Sequence, residues 1–560
     1  MTLLRLLLAL FLLLPASAGA QPVTAKKHMV ATANPMASEA ALSVLRDGGS
    51  AVDAAIAAQM VLAAVEPQSS GLGGGSLLMV WDAARKALLF YEGLASAPAA
   101  VPAELGRAAD GSTIPLKALE RSARAVAVPG TPRVLAMAHA AHGKLPWARL
   151  FRDGIRLAED GFPMPPYLHG VLAARPELAE KRSLAVLYFA NGKPLAVGAT
   201  VRNPVLAIAL RGLAGEGVGA FYTGRQAEHI VGAIGGSAYP GSITYSDLAR
   251  YEAKRREPVC ATVFQHRICT APPPVSGGIA LLQQLMILER AGYADLAPES
   301  AGSAHLFIEA ARLSQADRRS WLGDPDQVSI PVAGLIEADY IAARARLIEP
   351  GHAIAKVEPG SPARRQGALP VSDPIALPAT THVSVVDDWG NAVSFTTTIN
   401  LNFGSDILAG GVVLNNALTN FAEKSEVDGK RVANAIAPGK RPITAMAPTI
   451  VFGEGDAPLL VVGAGGGARI IDSVALTILG VIVWNMDVAT AIEQPRIGGQ
   501  NREEELEAGT QAASLADALR TMGHTPKILE MNAGVQAIHI TANGLEGWAD
   551  PRRDGVALGD

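Results

Sequence analysis

Residues 378–398 read PATTHVSVVDDWGNAVSFTTT, and this stretch decides how the chain is interpreted. HVSVVD and AVSFTTTI alternate with a period of two residues around the turn sequence DWGN, a pattern typical of a β-hairpin. Threonines stand at both outer ends, at 380–381 and at 396–398. Because side chains alternate along a strand, Thr396 and Thr398 share one face and Thr397 lies on the other. The sequence therefore predicts a hairpin that brings threonine hydroxyls together.

Thr380 is a candidate nucleophile, because the chain has no G-x-S-x-G, no H-E-x-x-H and no Cys–His pairing. A threonine hydroxyl needs a neighbouring base, and for an N-terminal threonine that base is its own α-amine. An α-amine has a pKa of roughly 7.7–8.0 and is partly neutral near working pH. An internal threonine must first be exposed by cleavage. The Pro/Gly/Ala-rich segment from 352 to 378 is predicted to be an exposed linker that ends just before it.

Composition limits the class of protein. The 560 residues predict two lobes or one large layered domain, and 49% hydrophobic with 18% charged residues fits a packed globular enzyme. A formal net charge of −4 gives no basic excess, so a nucleic-acid partner is not expected. The 11 histidines are scattered, no Cys/His cluster has metal-ligand spacing, and no metal or cofactor is predicted.

The first twenty residues, MTLLRLLLALFLLLPASAGA, have one arginine, a leucine-rich core and a final Ala-Gly-Ala. This pattern is typical of a secretory signal peptide cleaved after Ala20. The alternative is a membrane anchor, but the apolar run Leu6–Leu14 is shorter than the ~20 residues that a bilayer requires. The sequence predicts a periplasmic or secreted protein with no membrane association once the signal is removed.

Cys260 and Cys269 are the two cysteines of the chain, and they flank a turn near Phe264-Gln265. Two β-rich runs across this turn can place them opposite each other. An oxidising compartment favours a disulfide between them. The alternative is a pair of small buried residues, and neither interpretation makes the cysteines catalytic.

The segment PLLVVGAGGGARIIDSVALTILGVIVW predicts a strand, a glycine turn and a helix. Two backbone N–H groups in such a turn can face developing negative charge. A dinucleotide-binding loop is the competing interpretation, but its acidic partner would be Asp487, for which a helix N-cap is the simpler role.

A set of motifs along the whole mature chain resembles the γ-glutamyltransferase family of N-terminal-nucleophile hydrolases. They include NPMASEAALSVLRDGGSAVDAAIAA, EPQSSGLGGGS and APPPVSGGI, then TTHVSVVDDWGNAV, TTTINLNFGS, GKRPITAMAPTIV and GAGGGARII. The resemblance implies an α/β fold, a four-layer αββα sandwich. It also implies self-cleavage between Ala379 and Thr380 into a large subunit, 21–379, and a small subunit, 380–560, that interleave as one catalytic domain.

The same resemblance assigns roles to individual residues. Thr380 matches the nucleophile, and Thr398 matches the threonine that hydrogen-bonds it. Gly466 and Gly467 match the oxyanion hole. His382, which follows the nucleophile pair, is interpreted as structural, and an ion-pair or hydrogen-bonding role is expected for Arg469.

At the substrate end the chain departs from the family pattern, in which an arginine and two serines hold the α-carboxylate and polar or acidic groups hold the α-amine. The corresponding positions are Ala103, Thr444 and Ala445 for the carboxylate and Asn400, Asn420 and Ala417 for the amine. Arg107, four residues after Ala103, is a possible substitute. Losing one side of a buried charge pair costs about 2–5 kcal/mol, so weak γ-glutamyl transfer is expected.

The sequence thus predicts an enzyme that cleaves a γ-glutamyl-like or glutaryl-type small-molecule amide through an acyl-Thr380 intermediate, with altered recognition of the α-amino and α-carboxylate end. One alternative is an authentic γ-glutamyltransferase or glutathione hydrolase. The other, of a different class, is a secreted scaffold without activity.

Overall fold

The structure is a computed structural model that describes residues 21–108, 110–362, 379–500 and 503–560. The predicted signal peptide and the part of the linker at 363–378 lie outside these residues. Among the described residues, no helix combines the length and apolar character needed to cross a membrane.

Two seven-stranded antiparallel sheets form the centre of the molecule. Sheet 1 contains, in spatial order, Val23–Ala25, Gly544–Ala549, Gly534–Thr541, Pro458–Gly465, Thr449–Phe452, His266–Thr270 and Val259–Val263. Sheet 2 contains Val556–Gly559, Met29–Thr32, Ala379–Val386, Ala392–Asn400, Gly75–Asp82, Ala87–Gly93 and Lys254–Arg256. The sheets pack face to face, with Ala379–Val386 and Ala392–Asn400 against Pro458–Gly465.

Helices cover the outer face of each sheet. The helices on the side of sheet 2 are Pro35–Arg46, Ala51–Val65, Thr131–His142, Arg152–Asp160 and Pro204–Glu216. Those on the side of sheet 1 are Ser276–Arg290, Ala301–Trp321, Ala338–Ala345, Arg469–Ile482 and Val488–Glu493. The order helix, sheet, sheet, helix confirms the predicted αββα sandwich.

Shorter elements complete the described chain. The remaining α-helices are Leu116–Glu120, Pro166–Ala173, Arg182–Tyr188, Gly219–Tyr222, Arg225–Gly235, Tyr245–Ala249, Val332–Leu335, Gln511–Ser514 and Ala516–Thr521. Turns of 3₁₀-helix cover Ala123–Ala125, Trp147–Phe151, Pro176–Glu180, Tyr293–Asp295, Ala417–Asn420 and Glu454–Asp456. A three-stranded sheet joins Ile497–Gly498, Glu505–Glu507 and Lys527–Leu529. Pairs of two-residue antiparallel strands are Phe162–Pro163 with Thr200–Val201, Phe189–Ala190 with Lys193–Pro194, Leu408–Ala409 with Val412–Val413, and Glu426–Val427 with Lys430–Arg431.

The apolar core lies on both faces of sheet 2, because its central strands are covered on each side. In strand Gly75–Asp82, Leu78 and Val80 face the helical layer, whereas Leu77 and Met79 join the core shared with sheet 1. Every residue of this strand is buried, which is why its sequence is an almost continuous apolar run.

The predicted hairpin at 379–400 lies in the middle of sheet 2. Asp387 closes its turn, accepting hydrogen bonds from the backbone N–H groups of Trp389 (3.0 Å) and Asn391 (2.9 Å). Gly390 has φ 78°, which a turn of this kind requires and glycine permits. The same carboxylate accepts from the N–H of Ala51 at 2.9 Å, so the turn is tied to the start of helix Ala51–Val65.

Helix Ala51–Val65 is buried along its whole length. Its N-terminus is held by a capping box between Ser50 and Asp53. Because it is apolar on all sides, it can lie between sheet 2 and the outer helices. It ends at Glu66, directly behind the hairpin.

Sheet 2 mixes strands from both sides of residue 380. Met29–Thr32 and Gly75–Asp82 come from the first part of the chain, and Ala392–Asn400 and Val556–Gly559 come from the second. The subunit boundary itself remains a prediction, but a cut before Thr380 would leave two interleaved pieces.

Cys260 and Cys269 are joined in a disulfide across the paired strands Val259–Val263 and His266–Thr270. The two residues face each other directly in the register, with Cα atoms 4.1 Å apart. Of the two interpretations of these cysteines, the structure adopts the bonded one.

Candidate active site

Thr380 lies at an irregularity in the hairpin. Ala379 pairs with Asn400 and Thr381 pairs with Thr397, so the register shifts at Thr380 itself. Thr380 therefore stands opposite two residues, Thr398 and Ile399, so the extra residue of this bulge belongs to strand Ala392–Asn400. Thr380 is buried, with 1% of its surface exposed.

A chain of hydrogen bonds connects the Thr380 hydroxyl to the preceding peptide. Thr380 Oγ1 donates to Thr398 Oγ1 at 3.2 Å, and Thr398 Oγ1 donates to the carbonyl oxygen of Ala379 at 2.5 Å. The backbone N–H of Asn400 donates to Thr398 Oγ1 at 2.9 Å and fixes this hydroxyl. The two threonines predicted to be partners are therefore in contact, on the same side of the hairpin as the Ala379–Thr380 bond.

The glycine turn lies against the same point. Strand Pro458–Gly465 leads into Gly466 (φ 135°) and Gly467 (φ 69°), and helix Arg469–Ile482 follows. A Cβ at Gly465 would be 1.9 Å from the carbonyl oxygen of Thr380, so only glycine permits this approach. Within the described ranges, the N–H groups of Gly466 and Gly467 donate no hydrogen bond and are available for a ligand.

Asn400 and Asn420, predicted at the amine end of the substrate, are both buried. The Asn400 side-chain NH₂ donates to Asn416 Oδ1 and to Thr419 Oγ1, both at 3.0 Å. Its Oδ1 is buried and accepts no hydrogen bond from any residue that the structure describes. Buried polar atoms are normally satisfied, so this oxygen is suited to accept from a substrate. The backbone carbonyl of Asn420 accepts from Asn434 at 2.7 Å.

Thr444 and Ala445, predicted at the carboxylate end, pack against the start of helix Ser276–Arg290. The carbonyl oxygen of Thr444 accepts from Ser276 Oγ at 2.8 Å, and a Cβ at Gly277 would be 2.2 Å from the carbonyl oxygen of Ala445. The methyl side chain of Ala445 is buried.

Ala103 lies on an exposed loop, where its carbonyl oxygen accepts from Ser425 Oγ at 3.4 Å. The possible substitute Arg107 is also exposed, and its guanidinium is bonded to Glu104 at 3.1 Å and to the carbonyl of Gly111 at 3.1 Å. Arg107 therefore has local surface partners in this structure.

The histidine after the nucleophile pair has a structural environment. His382 Nδ1 lies 2.8 Å from Thr396 Oγ1, and Nε2 lies 3.1 Å from Ser384 Oγ. Complete burial lowers the pKa of His382 to about 3, so it is neutral at working pH. Gly463 makes room for the ring, since a Cβ there would be 2.2 Å from His382 Cε1.

The threonines beside Thr398 also have specific partners. Thr396 bonds His382, and Thr397 Oγ1 accepts from Ser76 Oγ at 2.8 Å. Each of these two hydroxyls therefore ties strand Ala392–Asn400 to a neighbouring strand.

Two predictions for residues near the glycine turn are confirmed. The Asp487 side chain accepts from the N–H groups of Ala489 and Thr490, both at 2.9 Å, which is a helix N-cap. Arg469 forms a two-point ion pair with Glu505, at 2.7 and 2.8 Å.

Sequence reasoning missed a buried charge pair beside Thr380. Arg553 Nη1 donates to the carbonyl oxygen of Thr380 at 2.7 Å and lies 3.6 Å from Glu66 Oε1. Glu66 belongs to the quoted EPQSSG motif and Arg553 follows Asp550-Pro551-Arg552, but nothing local in the sequence indicates that they meet.

A second cluster was also missed, because one of its members is distant in sequence. His305, Glu309 and His524 lie buried together with potential ligand atoms within 4.8 Å of one another. His305 Nδ1 lies 2.7 Å from His524 Nε2, and Arg312 donates to Glu309 at 2.6 Å. Since Arg312 already neutralises this carboxylate, the group is better explained as an ionic network that holds helix Ala301–Trp321 to the 524 loop.

Comparisons with known proteins place this geometry in a family. The family model Gamma-glutamyltranspeptidase matches residues 37–560. The chain is 36% identical over 545 residues to a glutathione hydrolase proenzyme of Bacillus subtilis (strain 168), covering 95% of this chain and 92% of that protein. It is 33% identical over 554 residues to an acylase ACY 1 proenzyme of Pseudomonas sp. (strain SE83), covering 96% and 94%.

Among solved structures, the cephalosporin acylase from Bacillus halodurans superposes with a TM-score of 0.82 at 26% identity, covering 98% of both chains. The match extends over both sheets and both helical layers. The chain therefore belongs to the gamma-glutamyltranspeptidase family and is an enzyme with the N-terminal-nucleophile hydrolase fold.

Proposed function

We propose that the protein cleaves itself between Ala379 and Thr380 and then uses Thr380 to hydrolyse or transfer the acyl group of a small-molecule amide. In the first reaction Thr380 Oγ1 attacks the carbonyl carbon of Ala379. The Ala379–Thr380 C–N bond breaks, the nitrogen takes up a proton as the Thr380 α-amine, and an Ala379 ester remains on the hydroxyl. Water then opens the ester, releasing the Ala379 carboxylate and restoring the hydroxyl.

The observation that carries the proposal is the hydrogen-bond path from Thr380 through Thr398 to the Ala379 carbonyl. The Thr398 hydroxyl donates to the oxygen that becomes negative when the carbonyl is attacked. Donors aimed at developing charge supply much of the rate acceleration in acyl transfer. The bulge opposite Thr380 supports the same step, because the regular ladder is interrupted beside the Ala379–Thr380 peptide.

In the second reaction the free α-amine of Thr380 acts as the base for its own hydroxyl. The hydroxyl attacks the substrate carbonyl, the amide C–N bond breaks, and the amine of the leaving group takes the proton. Water resolves the acyl-threonine, or a second amine takes the acyl group. The unused N–H groups of Gly466 and Gly467 are suited to bind the oxyanion.

The acyl end of the substrate is proposed to be glutaryl-type rather than γ-glutamyl. Asn420 and Thr444 are neutral, Ala103, Ala417 and Ala445 are apolar, and no acidic residue stands at the predicted amine positions. An α-ammonium placed there would be desolvated without a carboxylate partner, which costs several kcal/mol. An acyl chain without that ammonium avoids this cost.

An authentic γ-glutamyltransferase is the second candidate, and Asn400 is the observation in its favour. Its buried Oδ1 has no partner among the described residues and could accept a hydrogen bond from an α-ammonium. A neutral acceptor compensates such a charge only in part, so this candidate ranks second. A catalytically inactive scaffold is the remaining alternative.

Intact mass and N-terminal sequencing of purified wild type, Thr380→Ala and Thr397→Val test self-cleavage. Thr397→Val is the matched control, since it removes a buried threonine hydroxyl from the same hairpin. We expect two chains in the wild type and the control, the smaller starting at Thr380, and one chain in Thr380→Ala. A single uncut chain in the wild type would favour the scaffold.

Glutaryl and γ-glutamyl p-nitroanilides test the substrate class. They differ by the α-amine alone. We expect kcat/KM to favour the glutaryl anilide by about 10-fold or more, given the cost of an unpaired ammonium. An equal or higher value for the γ-glutamyl anilide would establish the second candidate instead.

We also propose that the enzyme works outside the cytoplasm. The Cys260–Cys269 disulfide supports this location, since structural disulfides form and persist in oxidising compartments. N-terminal sequencing of the large chain from a periplasmic or culture fraction checks it: a start at Gln21 is expected, and an intact Met1 would contradict it.

A further inference from the structure

The buried pair of Glu66 and Arg553 meets Thr380 at its backbone carbonyl oxygen. Only 4% of the Glu66 side chain and 2% of the Arg553 side chain are exposed. Arg553 donates to the Thr380 carbonyl oxygen at 2.7 Å and, through Nε, to the carbonyl of Asn532 at 3.1 Å. A charged pair is costly to bury, so its contact with the nucleophile's own backbone calls for an explanation.

The surrounding chain makes space for this contact. A Cβ at Gly534 would be 2.6 Å from Arg553 Cδ, and a Cβ at Gly465 would be 2.8 Å from Arg553 Nη1. Helix Ala51–Val65 delivers Glu66 at its C-terminal end, where the Glu66 backbone N–H still donates to Leu62. Arg553 is therefore held between two glycine-containing strands, and its Nη1 faces both the Thr380 carbonyl oxygen and Glu66.

Glu66 lies among polar groups. The Thr381 and Ser69 hydroxyls lie beside its carboxylate. Within the described part of the chain, the buried side-chain polar atoms of Gln68 and Ser70 have no hydrogen-bond partner.

The charged groups that face Glu66 are Arg553 and Asp554. Burial raises the pKa of Glu66 to about 7, and Asp554 adds to this, whereas Arg553 and the Thr381 and Ser69 hydroxyls lower it. Asp554 accepts from the N–H of Tyr167 at 2.9 Å, and burial raises its pKa as well.

We infer that Glu66 and Arg553 set the basicity of the Thr380 α-amine that self-cleavage releases, and this inference rests on the proposed function. The nitrogen and carbonyl oxygen of one residue lie about 3 Å apart, so the guanidinium lies within roughly 6 Å of the amine. Its positive charge disfavours the ammonium and keeps the amine neutral, as a base must be. Ionised Glu66 has the opposite effect, since its negative charge favours the ammonium. Arg553 therefore lowers the pKa of the amine and Glu66 raises it.

Glu66 and Arg553 act through the amine and the backbone of Thr380, which makes them positioning residues. Two unit charges about 6 Å apart at an effective dielectric near 20 shift a pKa by roughly 2 units, and the more distant Glu66 contributes about 1 unit. Removing the Glu66 charge should therefore lower the pKa of the amine, and removing the Arg553 charge should raise it.

The test measures the Thr380 amine directly in mature enzyme. Trace acetylation with acetic anhydride across pH 5–10, followed by mass spectrometry of the small-chain N-terminus, gives its pKa. The fall of kcat/KM for glutaryl p-nitroanilide at low pH gives a second value of the same pKa. We expect Glu66→Gln to lower both by about 1 unit and Arg553→Gln to raise both. Asp456→Asn, which removes a surface carboxylate paired with Arg267, should change neither.

Conservative variants separate the effect of the charges from the effect of side-chain packing. Glu66→Asp and Arg553→Lys keep the charges and should give values close to wild type, whereas a merely structural role would affect yield or stability without moving the pKa. A Glu66→Gln value equal to that of wild type, or higher, overturns the inference.

The wild type provides a readout that needs no variant. Because Glu66 and the amine interact, the acetylation curve should be broader than a one-proton titration, as coupled groups require. A clean one-proton curve overturns the inference even if Glu66→Gln fails to fold. Absence of a free Thr380 amine overturns the proposed function instead, so the two failures are distinguishable.

Discussion

Replacing Thr398 with valine removes the one hydroxyl that connects the nucleophile to the scissile carbonyl. Valine keeps the β-branched shape, so the strand and its packing are retained. Three hydrogen bonds are lost: from Thr380 at 3.2 Å, from the Asn400 N–H at 2.9 Å and to the Ala379 oxygen at 2.5 Å. The last of these bonds is the one that strengthens when the carbonyl is attacked.

The expected magnitude follows from that bond. Loss of one donor to a developing oxyanion costs about 10²–10³-fold in rate, or roughly 2.7–4 kcal/mol. Self-cleavage of Thr398→Val should therefore be at least about 100-fold slower than that of the wild type. Thr398→Ser keeps the hydroxyl and should cleave at a rate close to wild type.

Precursor made by cell-free translation, sampled over time and resolved by denaturing electrophoresis with intact mass, gives the cleavage rate of each variant. Near-ultraviolet circular dichroism of the uncut chains checks that the fold is retained. A folded Thr398→Val precursor that is cut at the wild-type rate would refute the role given to this hydroxyl and the mechanism built on it.

Three further predictions concern the surroundings of the site. Gly465→Ala should block self-cleavage and leave an uncut chain, because a Cβ 1.9 Å from the Thr380 oxygen displaces the strand. If gel electrophoresis shows wild-type cleavage of this variant, the close approach is contradicted. In the uncut Thr380→Ala chain, Cys260→Ser should lower the stability by about 2–3 kcal/mol, as expected for closing a loop of this length. The readout is a lower urea midpoint without reductant, and an unchanged midpoint would show that the bond adds nothing. Burial raises the pKa of Glu66 from 4.5 to about 7, so the folded state binds this proton more tightly than the unfolded chain does. The stability of the same uncut chain should fall as pH rises from about 4.5 to 7, and adding Glu66→Gln should flatten the pH dependence of the urea midpoint between pH 5 and 8. An equal slope with and without Glu66→Gln would argue against the raised pKa.

The sequence was informative where the signal is local. The hairpin around Asp387 follows from a period of two and a turn sequence, and the glycine turn at 466–467 follows from a strand that runs into a helix. These two elements contain Thr380, Thr398, Gly466 and Gly467, and both lie where the patterns indicate.

The sequence was uninformative about contacts between distant residues that strand pairing brings together. Glu66 and Arg553 are 487 positions apart, and only the pairing of strands in sheets 1 and 2 brings both to Thr380. His524 reaches His305 in the same way, across 219 positions. Composition and periodicity carry no information about such long-range contacts, because these contacts depend on how the layers are stacked.

The position of Thr380 on a central strand has a consequence for the lifetime of the enzyme. Sheet 2 forms while the chain is continuous, and a cut before Thr380 leaves two pieces whose strands alternate within it. Once these pieces separate, refolding requires two molecules to meet, and the entropic advantage of a single tethered chain is lost. If the proposed cleavage occurs, the mature enzyme is a one-time product of its precursor, and its working life is set by the rate of unfolding rather than by an equilibrium with unfolded chains.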